Sequence, residues 1–118
     1  EGKSSAVAPG ARDERRISTA LRHIEARLDE HLSIAELSKV AAMSPYHFLR
    51  TFRVLVGVTP HQFILQARMK RAAVFLRRTS DNVSAIAFSA GFGDLSTFNR
   101  RFQRIFGLSP SAYRARTQ

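Results

Sequence analysis

Apolar residues recur at helical spacing along most of this 118-residue chain. Ile17, Leu21, Ile24 and Leu28 follow at steps of four, three and four, the stripe of an amphipathic helix. That helix is read as ending near His31 and Leu32. Ser33-Ile34-Ala35-Glu36 has the form of a capping box, with the Ser oxygen on an orphan amide and the Glu reaching back. It opens a short helix that turns Ile34, Leu37 and Val40 inward. Ser44-Pro45 opens another, with Ser as N-cap and Pro at the first helical position. Phe48, Phe52 and Leu55 line its buried side, and Gly57 stops it as a left-handed cap. Thr59-Pro60 starts a long helix by the same device, with Leu65, Met69, Ala72 and Leu76 as its stripe up to about Arg78. After a polar turn from Thr79 to Asn82, either Asn82 or Ser84 opens a short helix carrying Val83, Ile86 and Ala87. Gly91-Phe92-Gly93 forms a turn, and Asp94 caps a helix that buries Phe98, Phe102 and Ile105 and ends at Gly107. Ser109-Pro110 begins a last short helix containing Tyr113. Few stretches alternate with period two and no Asn-Gly dipeptide occurs, so the expected fold class is all-α with about seven helices.

The pattern also repeats. Phe48 and Phe98, Arg50 and Arg100, Phe52 and Phe102, Gly57 and Gly107, Pro60 and Pro110, and Phe63 and Tyr113 are pairs separated by a constant offset of about 50 positions. Upstream of each turn the offset is one shorter, as in Leu37 with Ile86 and Met43 with Phe92, so the second copy holds one extra residue in its turn. Each copy is a short helix, a tight turn and a longer Arg-bearing helix, which is the helix-turn-helix plan. The expected division is a flexible linker over 1–12, a first subdomain over 13–58, a linking helix over 59–79 and a second subdomain over 80–118. The chain starts with Glu, and is read as a fragment of something longer.

Charge narrows the partner. Lys and Arg number 19 against 9 Asp and Glu, for a net +10. Residues 1–40 are balanced, whereas residues 41–118 set twelve bases against Asp81 and Asp94. A one-sided excess, mostly Arg, suits a polyanionic partner, either nucleic acid or an anionic membrane surface. The chain has no Cys, which excludes disulfides, thiolate nucleophiles and Cys-ligated zinc. No apolar run approaches a membrane span, and no secretory signal is visible. His23, His31 and His61 are isolated and read as surface or packing residues, so neither metal nor cofactor is expected. No carboxylate pair, nucleophile with base, or glycine-rich phosphate loop suggests an enzyme.

A helical wheel assigns the reading face. At 100° per residue from Phe48, the positions Tyr46, Arg50 and Arg53 fall opposite the core, with His47 and Leu49 on the flanks. From Phe98, the positions Ser96, Arg100 and Gln103 fall outside, with Thr97 and Arg104 on one flank and Asn99 on the other. Residues near the start of such a helix reach base edges in the major groove. Tyr46, His47, Leu49, Arg50, Ser96, Thr97, Asn99 and Arg100 are therefore the expected base contacts. Arg53, Arg101, Gln103 and Arg104 lie further along and are expected on phosphate.

Gly91-Phe92-Gly93-Asp94-Leu95-Ser96-Thr97-Phe98-Asn99-Arg100-Arg101-Phe102, followed by Phe106-Gly107-Leu108-Ser109-Pro110 and Tyr113-Arg114, resembles the AraC/XylS-type bacterial transcription regulators. Ser44-Pro45-Tyr46-His47-Phe48-Leu49-Arg50-Thr51-Phe52 fits the same family, and the resemblance covers residues 14 to 116. It implies seven helices, two helix-turn-helix motifs and a linking helix. It implies binding of a double-stranded operator, contact with RNA polymerase, and a sensor or dimerisation domain on the N-terminal side. It maps base contacts onto Tyr46, Leu49 and Arg50, then Leu95, Thr97, Asn99 and Arg100. The expected setting is the bacterial cytoplasm, at the nucleoid. The competing class is a helical module that docks an acidic protein, which has no need of an outward Arg repeated in both copies.

Overall fold

The computed structural model describes residues 9–118, and among these the chain forms seven α-helices and no strand. They are α1 (Ala11–Ala26), α2 (Ile34–Val40), α3 (Pro45–Val56), α4 (Pro60–Arg78), α5 (Val83–Ser89), α6 (Leu95–Phe106) and α7 (Pro110–Thr117). The linker expected over 1–12 lies outside the described residues as far as position 8. Its last two residues, Ala11 and Arg12, are already helical. The chain divides into two compact units. One runs up to Arg27 and resumes over Leu32–Phe63; the other combines Leu28–His31 with Ile64–Gln118.

In the first unit α1, α2 and α3 pack on one another around Ile17, Ala20, Ile24, Leu37, Phe48 and Phe52. Ala20, not Leu21, takes the buried place in the α1 stripe; its single methyl lets neighbouring helices approach, while Leu21 is half-buried. Leu55 of α3 and Ile34 and Val40 of α2 are likewise half-buried rather than core. Ser33 caps α2 by accepting from the Glu36 amide at 3.1 Å. Glu36 does not complete the expected box: its Oε2 lies 2.6 Å from His23 Nε2 on α1. His23 is therefore not isolated. Arg27 also reaches its Nδ1, at 3.2 Å. The reciprocal box stands at α4 instead, where Thr59 Oγ1 accepts from the Gln62 amide at 3.2 Å and Gln62 Oε1 accepts from the Thr59 amide at 3.0 Å.

In the second unit, Met69, Ala72, Ala73 and Leu76 of α4 meet Ile86 and Ala87 of α5, Ala90, and Phe98 and Phe102 of α6. Leu65, Val83, Phe92, Phe106 and Tyr113 pack around that core. Ile105 is the main correction here: it is 45% exposed. Phe106 takes its place, its ring centred 4.5 Å from Phe102 and 5.5 Å from Tyr113. Steps of four from Phe98 reach Phe102 and then Phe106, and the larger ring wins the inward position.

Helix α1 stops five or six residues before the expected end, for a reason lodged 40 residues away. Arg68 Nε donates to the Leu28 carbonyl at 2.8 Å and its Nη2 to that of Glu30 at 2.7 Å. Those carbonyls turn toward a guanidinium instead of continuing a helix. Burial lowers the Arg68 pKa from its ordinary value, with Asp29 opposing in part, and a guanidinium keeps its charge at neutral pH. Arg114 does the same for α4, donating to the carbonyls of Leu76 at 3.1 Å and Thr79 at 3.1 Å.

Candidate nucleic-acid interface

Each unit contains a helix-turn-helix, α2 with α3 and α5 with α6. The turns obey the offset read from the sequence. The Ala42 amide donates to Lys39 and the Met43 amide to Ser38; 49 positions later Gly91 donates to Phe88 and Phe92 to Ala87. Ala42 and Gly91 both hold positive φ, 58° and 100°. The extra residue of the second copy is Gly93, inserted before the N-cap. Ser44 caps α3 by accepting from the His47 amide at 3.3 Å, and Asp94 caps α6 by accepting from the Thr97 amide at 2.8 Å. Both helices end on a left-handed glycine, Gly57 and Gly107. The paired aromatics repeat as well: Phe52 meets Phe63 edge-on at 5.9 Å, and Phe102 meets Tyr113 edge-on at 5.4 Å.

The inner faces of α3 and α6 fix the outer ones. With Phe48, Thr51 and Phe52 buried, Tyr46, His47, Leu49, Arg50 and Arg53 stand exposed on α3, Tyr46 to 71%. With Phe98 and Phe102 buried, Leu95, Ser96, Asn99, Arg100, Arg101, Gln103 and Arg104 stand exposed on α6. Every side chain the sequence assigned to DNA thus lies off the core side of its helix, and Thr97 alone among them is half-buried. His47 is not simply solvated, because its Nε2 lies 3.7 Å from Asp13 Oδ1 on α1.

Thr97 is tied twice to the cap. Besides its amide, its Oγ1 donates to Asp94 Oδ2 at 2.8 Å. These two bonds, with Arg100 near by, hold the Asp94 carboxyl below its usual pKa against a smaller opposing desolvation. Asp94 is therefore an anion at neutral pH. The second copy has a charged cap where the first has the neutral Ser44. Not all of the basic excess is available to a ligand, since Arg68 and Arg114 are spent on backbone carbonyls. Sequence reasoning also passed over Phe88, 56% exposed on α5. The flanking Ile86, Ala87 and Ala90 are buried, so Phe88 falls off the stripe, a signal a wheel of α5 would have shown. Among the described residues no three His, Cys, Asp or Glu gather as a metal site.

A family model described as a helix-turn-helix domain matches residues 37–116. A regulator of Chromobacterium violaceum, described by its AraC-type DNA-binding domain, has the same fold with a TM-score of 0.83. It is 25% identical, and the match covers 92% of this chain and 96% of that one. The chain belongs to the AraC/XylS-type helix-turn-helix family. That family is one of DNA-binding transcription regulators, not of enzymes. The DNA-binding domain of the global transcriptional factor AdpA, solved in complex with a target DNA, is 30% identical with a TM-score of 0.81, over 85% of this chain and 90% of that one. The regulatory protein SoxS of Salmonella typhimurium is 35% identical, over 85% of this chain and 94% of its own length. Other AraC-type relatives are longer. The probable transcriptional regulator LumQ of Photobacterium leiognathi is 35% identical over 77% of this chain, which spans only 37% of LumQ.

Proposed function

We propose that this AraC-type chain binds double-stranded DNA through α3 and α6, one major groove to each, and regulates bacterial transcription. The observation that carries the reading is the duplicated outward face. Arg50 and Arg100 sit at equivalent positions, each exposed on a helix whose opposite face is a Phe core. Base contacts fall to Tyr46, His47, Leu49 and Arg50 on α3, and to Leu95, Ser96, Thr97, Asn99 and Arg100 on α6. Arg53, Arg101, Gln103 and Arg104 hold phosphate and set register. Arg forks onto guanine and Asn onto adenine, while Tyr and Leu suit the thymine methyl. The likeness to a domain solved on its target DNA supports this reading.

In this reading residues 13–58 and 80–118 are the two reading subdomains and 59–79 is the linking helix. The two heads are assigned to successive major grooves. AarP of Providencia stuartii, among the relatives, is a transcriptional activator, which supports a role in activation; RNA polymerase is assigned as a second partner on that basis. A DNA partner assigns the chain to the cytoplasm, at the nucleoid. No helix among the described residues is long and apolar enough to cross a membrane.

Arg100→Ala is the direct test. It is expected to weaken binding to a selected site by about 1–3 kcal/mol and to relax preference at one base position, with random duplex little affected. Binding of both duplexes at wild-type strength, measured by fluorescence anisotropy, would remove Arg100 from the interface. A chain that ignores duplex DNA and captures an acidic protein instead would support the competing class.

A further inference from the structure

We propose that Asp94 sets the base preference of Thr97, restricting it to bases that present an amino group, adenine or cytosine on the contacted strand. The inference rests on the DNA reading above and deepens it. A threonine hydroxyl has one hydrogen to give and two lone pairs to receive. Left free, it rotates to suit either a donor or an acceptor, and so discriminates poorly between bases. Here the hydrogen is already committed: Thr97 Oγ1 donates to Asp94 Oδ2 at 2.8 Å. The other carboxylate oxygen accepts the Thr97 amide at 2.8 Å, so the pair is clamped at both ends. An ionised carboxylate only accepts, which fixes the direction of the hydroxyl bond.

The Thr97 hydroxyl therefore offers DNA only lone pairs. In the major groove the amino donors are adenine N6 and cytosine N4; guanine N7 and O6 and thymine O4 are acceptors. An acceptor-only hydroxyl facing one strand takes adenine or cytosine and meets a repulsive lone pair on guanine or thymine. Thr97 occupies the third position of α6, within the turn that reaches base edges, and is half-buried rather than enclosed. The equivalent position in α3 is His47, whose cap Ser44 is neutral, so the device belongs to the second copy only.

The experiment is selection from a random duplex pool followed by sequencing, using the whole chain and three variants. The wild type is expected to enrich one position about tenfold for adenine or cytosine over guanine and thymine. Thr97→Val keeps the shape, loses the lone pairs and should flatten that position alone. Thr97→Ser should preserve it. Asp94→Ser copies the Ser44 cap, keeps α6 capped and frees the hydroxyl hydrogen. It should admit guanine and thymine at that position while the rest of the site stays unchanged. Circular dichroism of each variant checks that the helices persist. Thr97→Val leaving every position as in the wild type, or Asp94→Ser keeping the preference intact, would overturn the inference and leave DNA binding standing. A wild-type pool with no enriched sequence would overturn the DNA reading, and this inference with it.

Discussion

Raising monovalent salt from about 50 to about 200 mM is expected to weaken binding to duplex DNA by a factor of about 10³–10⁵. The estimate follows from where the bases go. Of the twelve Lys and Arg beyond residue 40, Arg68 and Arg114 donate to backbone carbonyls and Arg77 to the Tyr113 hydroxyl, so fewer than the full twelve can reach phosphate. Contacts to about six to ten phosphates give a slope of log affinity on log salt near −0.9 per phosphate. Replacing Arg101 and Arg104 together by Gln should lower the magnitude of that slope by about 2 while leaving the selected sequence unchanged, because phosphate contacts carry register rather than base identity. Random duplex should share most of the slope at weaker absolute affinity. A slope near zero for the wild type would show that its arginines serve something other than phosphate.

Gly91→Ala is expected to destabilise the second unit by about 3 kcal/mol, lowering its melting temperature by on the order of 10–20 °C. Two costs combine. Gly91 has φ of +100°, where an L side chain is strained by roughly 1–2 kcal/mol. A Cβ there would also stand 2.6 Å from Arg68 Nε and 2.6 Å from the Leu28 carbonyl oxygen, the two atoms of an existing hydrogen bond. Arg68 can swing away, but only by giving up a charged bond worth about 1.5–3 kcal/mol, and the carbonyl is backbone and cannot. The matching turn of the first unit already carries a Cβ at Ala42, with φ of 58° inside the left-handed well. Ala42→Gly is accordingly expected to change stability by less than about 0.5 kcal/mol, since relief of strain is offset by added freedom of the unfolded chain. Calorimetry of both variants checks the pair. A Gly91→Ala protein that melts with the wild type would mean that the turn does not depend on Arg68.

What was legible in the sequence is what local chemistry encodes. Helix starts at Ser44, Asp94 and Ser109, stops at Gly57 and Gly107, and the Phe stripes all answer to rules spanning four residues or fewer. The repeat was legible because composition and spacing repeat together, and it led to both outward faces. The misses share a cause. Glu36 looked free to complete a capping box until His23, 13 residues earlier, took its carboxylate. The end of α1 is set by Arg68, and the end of α4 by Arg114, through partners 35 to 40 residues away. Two of the arginines counted toward DNA were thereby structural. Ile105 and Phe106 both border the stripe of α6, and only the ring geometry around Phe102 and Tyr113 decides between them. Within the site, the list of outward residues was readable, but the hydrogen that Thr97 gives to Asp94 was not, because spacing does not tell which oxygen donates.

Binding-site selection with single arginine variants shows whether two equivalent helices read DNA separately. Two clusters of specified base pairs about ten base pairs apart are expected, with Arg50→Ala relaxing only one cluster and Arg100→Ala only the other. One cluster alone, or both substitutions relaxing the same base pairs, would contradict separate reading.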